Sequence, residues 1–65
     1  MMSDLMAVEE VMAELRIGRA KLWRLFASGE IFSFKVGRRR LVMREDLRRF
    51  IEAERERQMA ERGQA

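Results

Sequence analysis

Apolar side chains recur along this chain with a helical period, then a strand period, then a helical period again. Over residues 7–15, Val8, Val11, Met12 and Leu15 fall at i, i+3, i+4 and i+7, one face of a helix, while Glu9, Glu10 and Glu14 take the wet side. The acids of its first turn suit the positive end of the helix dipole. Ser3 or Asp4 can cap an early start, whereas Ala7 has no side-chain acceptor. Arg16-Ile17-Gly18 interrupts the period, with Gly18 as turn residue or N-cap and Ile17 plugging the core from the turn. A second helix is predicted at about 19–27, burying Leu22, Leu25 and Phe26 and turning Arg19, Ala20, Trp23 and Arg24 outward. Ser28-Gly29 stops it, with Gly29 in the left-handed position past the helix end.

From residue 31 the period is two. Phe32, Phe34 and Val36 alternate with Ser33 and Lys35, Gly37-Arg38-Arg39 forms the turn, and Arg40-Leu41-Val42-Met43 returns. Val42 is expected to point inward, as the partner that Phe34 and Val36 need. A third helix starts near residue 44, with Glu45 and Asp46 in its first turn and Leu47, Phe50 and Ile51 as its apolar stripe. Beyond Ile51 the stripe ends. Residues 52–62 are Glu/Arg-rich, with i, i+4 pairs such as Arg48–Glu52 and Arg57–Glu61, so a helical extension is expected to fray, and Gly63-Gln64-Ala65 to be disordered. The pattern is that of a mostly α fold with a small β-hairpin, a winged helix-turn-helix of order α-turn-α-β-β-α. It forms a single domain over residues 1–65, with its core at 5–51 and a charged extension or tail at 52–65.

Composition narrows the chemistry. Without cysteine or histidine there is no disulfide and no thiolate or imidazole for a zinc site, and no cofactor is expected. The first residues show no signal peptide, and no apolar run is long enough for a membrane span, so a cytoplasmic location in a bacterial host is expected. The six methionines read as gap-fillers. The net charge is only +3, but its distribution is uneven. Residues 1–15 carry −4, residues 45–65 carry −1, and residues 16–44 hold nine Lys/Arg against the single Glu30. A basic central block between two acidic ones is the footprint of a polyanion partner.

Two helices joined by about three residues have helix-turn-helix spacing, which puts the second helix in the major groove of DNA. Arg19, Ala20, Lys21, Trp23 and Arg24 are the candidate contacts there, with arginine able to bind guanine or phosphate in a bidentate way and Ala20 small enough for close approach. The hairpin acts as a wing, with Lys35, Gly37, Arg38, Arg39 and Arg40 at and beside its tip, placed to enter the minor groove or clamp phosphates. The plainer readings stand beside these: the arginine run as a solvated face, Lys21 facing water, and Trp23 as half-buried core. An enzyme is not expected, because there is no His, Cys or Tyr to act as base or nucleophile, the serines have no basic partner, and no phosphate-binding loop has the required spacing.

Residues 5–51 resemble the helix-turn-helix excisionase family, relatives of the DNA-binding domain of MerR-like regulators. The resemblance rests on Val8-Glu9-Glu10-Val11, Leu22-Trp23-Arg24-Leu25-Phe26, Ser28-Gly29-Glu30-Ile31, Lys35-Val36-Gly37-Arg38-Arg39-Arg40 and Arg44-Glu45-Asp46-Leu47. It implies sequence-specific binding and bending of double-stranded DNA, an integrase steered toward excisive site-specific recombination, and cooperative head-to-tail assembly on adjacent sites. The alternative it implies is a small MerR-like transcription regulator of a phage or mobile element. The chain departs from the family pattern in three places. Ala7 stands where a capping Thr or Ser is common, Leu15-Arg16-Ile17-Gly18 where Leu-Gly-Val-Ser is common, and Phe32 where Pro is common. Phe32 then either seeks a partner, such as a neighbouring subunit, or covers the small core.

Overall fold

A computed structural model describes residues 4–63. The elements run β1 (Leu5–Ala7), α1 (Val8–Leu15), α2 (Arg19–Ser28), β2 (Phe34–Val36), β3 (Arg39–Met43) and α3 (Arg44–Gly63). The three helices and the hairpin lie where the periodicity puts them, except that the first wing strand begins at Phe34 and leaves Phe32 and Ser33 outside it, and the architecture is a winged helix-turn-helix. One element has no counterpart in the pattern. The residues before the first helix form an edge strand, and the sheet order is β1-β3-β2, antiparallel throughout. Leu5, Met6 and Ala7 pair with Met43, Val42 and Leu41, and the Arg44 N–H donates to the Asp4 carbonyl at 2.7 Å.

This strand changes the core. Met6, Val8, Val11, Leu22, Ile31, Val42 and Leu47 are buried, with Met12, Leu15, Ile17, Leu25, Phe26 and Phe50 packed around them. Val42 does point inward, but its cross-strand partner is Met6. Phe34 pairs with Leu41 and Val36 with Arg39, on the opposite face of the pleat from Val42. Val36 is accordingly 57% exposed, and Ile51 is 40% exposed, so neither joins the core as the pattern suggested. Phe32 is 64% exposed and stacks on Phe34 at 6.2 Å, which excludes it as a core cover. Met6 and Met12 do fill the interior, but Met59 is exposed; Met1 and Met2 lie outside the described residues.

Of the two roles open to Gly18, turn residue or N-cap, the structure gives it the second. Gly18 is the N-cap of α2 with an extended backbone, while Arg16 adopts the left-handed conformation, φ 57° and ψ 47°. The N–H groups of Arg16 and Ile17 both return to the Met12 carbonyl and close the end of α1. Helix α1 begins at Val8 rather than at an Asp4 cap, and Ser3 lies outside the described residues. Only half of a capping box exists there: the Glu10 carboxylate accepts from the Ala7 N–H at 2.8 Å, and the alanine side chain offers nothing in return. At the end of α2, Gly29 has φ 83° as expected. The Gly29 N–H donates to Phe26 and the Glu30 N–H to Leu25, which is a Schellman closure.

Helix α3 is continuous past the point where its apolar stripe ends, and Gly63, expected to be disordered, is its last residue. Its first turn is laced by Arg49 to Glu45 and Asp46, and its extension by Arg57 to Glu54 and Glu61. Gln58 adds a 2.9 Å hydrogen bond to Glu54. Of the two expected pairs Arg57–Glu61 forms and Arg48–Glu52 does not; the others are set by side-chain direction rather than by spacing alone. Gln64 and Ala65 lie outside the described residues.

Candidate nucleic-acid interface

Burying Leu22, Leu25 and Phe26 on one side of α2 fixes what its other side shows. At 100° per residue, Arg19, Trp23, Ala27, Ala20 and Arg24 follow one another across the outward face. Two alanines lie in the middle of that face, with Arg19 and Trp23 on one flank and Arg24 on the other. A surface that is low at its centre and cationic at its edges suits the approach of a helix to a groove floor. Ala27 belongs to this face by geometry. Nothing in the sequence marks it, because it lies beyond Arg24, the last basic residue of α2.

The wing is built by a two-residue turn. Val36 pairs with Arg39, leaving Gly37 and Arg38 as the loop, so Arg39 belongs to the strand and not to the turn. Gly37 has φ 64° and Arg38 does not have a positive φ, the combination of a II′ hairpin turn, in which glycine is favoured at the first position. A loop this short makes a narrow tip, and Arg38 and Arg39 project from it.

Helix α2 and the wing meet in one open cleft of about 490 Å³. Arg19 and Trp23 line it from the helix, and Lys35, Arg38, Arg39 and Arg40 from the wing. The start of α1 closes the cleft through Ala7, Val8 and Glu9. The two basic segments thus share one side of the molecule. Not every candidate takes part in the same way. Arg40 is half-buried; its Nη1 donates to Ser33 Oγ at 2.7 Å and its guanidinium lies 5.9 Å from the Phe26 ring, so it braces the base of the wing. Lys21 is on the opposite side of α2 from Arg19 and does not line the cleft. Its charge acts on Glu54 of α3, whose carboxyl is held below the ordinary glutamate range mainly by hydrogen bonds from Gln58 and Arg57. Ala20 and Arg24 are exposed beside the cleft.

Trp23 is 42% exposed, with one edge tilted against Phe26 at 5.4 Å and the Arg19 guanidinium 5.7 Å from its ring. It is therefore both a cover for the core and a wall of the cleft. Glu9 was not singled out by the sequence, since it reads as a solvated helix-start acid. It forms a 3.3 Å ion pair with Arg19. A hydrogen bond from its own backbone N–H, then the Arg19 hydrogen bond, and then the charges of Arg19 and Arg39 hold its carboxyl below the usual range.

A family model described as a helix-turn-helix domain matches residues 5–55. The chain belongs to this helix-turn-helix domain family. The match spans the sheet, both helices of the turn, the wing and the packed part of α3, so it covers every element that lines the cleft. Comparison with curated proteins and with solved structures finds no match. A helix-turn-helix domain is a DNA-binding module, and the basic cleft is where this one presents its charge. Among the described residues no helix is long and apolar enough to cross a membrane.

Proposed function

We propose that this domain is a sequence-specific DNA-binding and DNA-bending protein that acts as an excisionase, directing an integrase toward excisive recombination. The observation that carries the reading is the shared cleft: the amino-terminal end of α2 and the wing tip present their cations on one side, at a separation set by a rigid core. With α2 in the major groove, Arg24 and Arg19 reach base edges or phosphates, and the Arg38–Arg39 tip reaches the adjacent minor groove. Widening or kinking that groove to admit the tip bends the duplex. The exposed Phe32, stacked on Phe34 at the base of the wing, provides an apolar contact for a neighbouring protomer on the next site. This is binding chemistry rather than catalysis.

Footprinting and gel-shift bending analysis on DNA flanking the gene, at two protein concentrations, tests this. Several adjacent protected sites that fill together, with bent DNA and stimulation of excision by a neighbouring integrase, are expected. One site on straight DNA, overlapping a promoter and without effect on recombination, would instead make the protein a MerR-like transcription regulator. Weak binding with little dependence on salt or sequence would remove DNA as the partner.

A further inference from the structure

The basic cleft holds a single carboxylate. Arg19, Lys35, Arg38, Arg39 and Arg40 bring five cations to its lining, and Glu9 is the one acid among its lining residues. Glu9 lies in the first turn of α1, where the helix dipole already welcomes a negative charge. A role limited to that dipole would leave the side chain free in water. Instead its Oε2 sits 3.3 Å from Nη2 of Arg19, across the turn of the helix-turn-helix, and Arg39 of the wing adds its field. The pair is exposed on both sides, 55% for Arg19 and 72% for Glu9, so it does little to hold α1 against α2. What it does is occupy the guanidinium that stands at the start of α2 and against Trp23.

We propose that Glu9 is a specificity-determining residue of the DNA interface, whose carboxylate holds Arg19 so that this arginine engages DNA only by exchanging one anion for another. The inference rests on the DNA-binding reading above. Its consequence follows from counting ions. A free arginine that meets a phosphate releases a counterion from the DNA, steepening the salt dependence by about 0.9 per contact. When Arg19 leaves Glu9 to meet that phosphate, the released carboxylate takes up a cation, and the two terms nearly cancel. Non-specific DNA therefore gains little from Arg19. A cognate site gains from it only where a base edge or phosphate is placed to bind the guanidinium better than Glu9 does. Glu9 lowers affinity for random sequence and spares affinity for the right one.

The test measures affinity of the full chain for a short random-sequence duplex across a salt series, by fluorescence anisotropy. Glu9→Gln keeps the shape of the side chain and removes its charge. It should steepen the slope of log K against log salt by about 0.9 and, at about 0.1 M salt, tighten non-specific binding up to about eightfold, one added contact at that slope. In an Arg19→Ala background the same change should give only a small fraction of that gain. Glu14→Gln, an equal charge change on the same helix away from the cleft, should leave both quantities near wild type. Glu9→Asp retains the charge but draws it back from Arg19, and should move the slope in the direction of Glu9→Gln. An unchanged slope in Glu9→Gln, or an equal gain with and without Arg19, overturns the proposal. A loss of affinity in Glu9→Gln would overturn it too, by showing that the carboxylate itself contacts a base. Failure of the wild-type chain to bind duplex DNA in any salt-dependent way refutes the DNA-binding reading instead.

Discussion

Replacing Arg16 with glycine should stabilise the domain. Arg16 is the one non-glycine residue with positive φ among the described residues, and it sits at the turn that sets the angle between α1 and α2. A left-handed backbone brings Cβ against the following carbonyl and costs an L-residue about 1–2 kcal/mol. Glycine escapes that cost but loses more freedom on folding, by about 0.5–1 kcal/mol. The arginine side chain is exposed and makes no ion pair among the described residues, so its loss subtracts little. The net gain expected for Arg16→Gly is about 0.5–1 kcal/mol, which for a domain of this size raises the melting temperature by about 2–8 °C. Arg16→Ala removes the same side chain but keeps Cβ, and should leave the melting temperature near wild type. Gly29→Ala provides the converse case. A Cβ at Gly29 meets no atom within 4 Å, so its φ of 83° is the sole source of strain, and a loss of about 0.5–1 kcal/mol is expected. Thermal unfolding followed by circular dichroism measures all three. If Arg16→Gly melts no higher than Arg16→Ala, the strain argument is wrong, and the turn draws its conformation from contacts of the arginine instead.

Met6→Ala should cost about 2–5 kcal/mol in urea unfolding, because Met6 is fully enclosed under the β1–β3 pair, whereas Ile51→Ala at a 40% exposed position should cost well under half as much; equal losses would deny β1 its place in the core. Acid should destabilise the fold through Glu9 and Glu54, whose carboxyls lie lower in the folded than in the unfolded chain. Their contribution is complete above the ordinary glutamate value of about 4.3 and disappears as pH falls through the lower folded values. Melting temperatures should therefore drop below about pH 4.3 and drop less in a Glu9→Gln/Glu54→Gln variant, and an identical pH profile would exclude both groups. On DNA, Arg24→Ala should weaken cognate binding by about 1–3 kcal/mol and relax discrimination at one base position, while Arg38→Ala or Arg39→Ala should weaken all sequences evenly and reduce the salt slope by about one; swapped behaviours would reverse the assignment of helix and wing. With about five net contacts, Arg24 and the cleft cations other than the Glu9-paired Arg19, wild-type affinity should fall about 500-fold between about 50 and 200 mM salt.

The helices, the turn and the wing were legible in the sequence because their signals are local. A 3.6-residue apolar period, a two-residue alternation around Gly37 and a glycine past Ser28 each act within a few positions of themselves. The clustering of arginine between residues 16 and 44 likewise needs no structure to be seen. What the tertiary structure alone decided is where those local pieces meet. β1 exists because Met6 finds Val42 some 36 positions away, and a three-residue strand has no periodicity to announce that pairing. The alternation turns Val42 inward without naming Met6 as its partner, since it shows that a strand has two faces but not which face the rest of the chain will cover. The same limit applies to charge. Composition assigns Glu9, Lys21 and Arg40 a sign, but only the packing of α1, α2 and the wing sets Glu9 on Arg19, sends Lys21 toward Glu54 and ties Arg40 to Ser33. Coulomb and hydrogen-bond energies depend on distances of a few ångströms across the fold, and those distances are set by the core rather than by spacing along the chain.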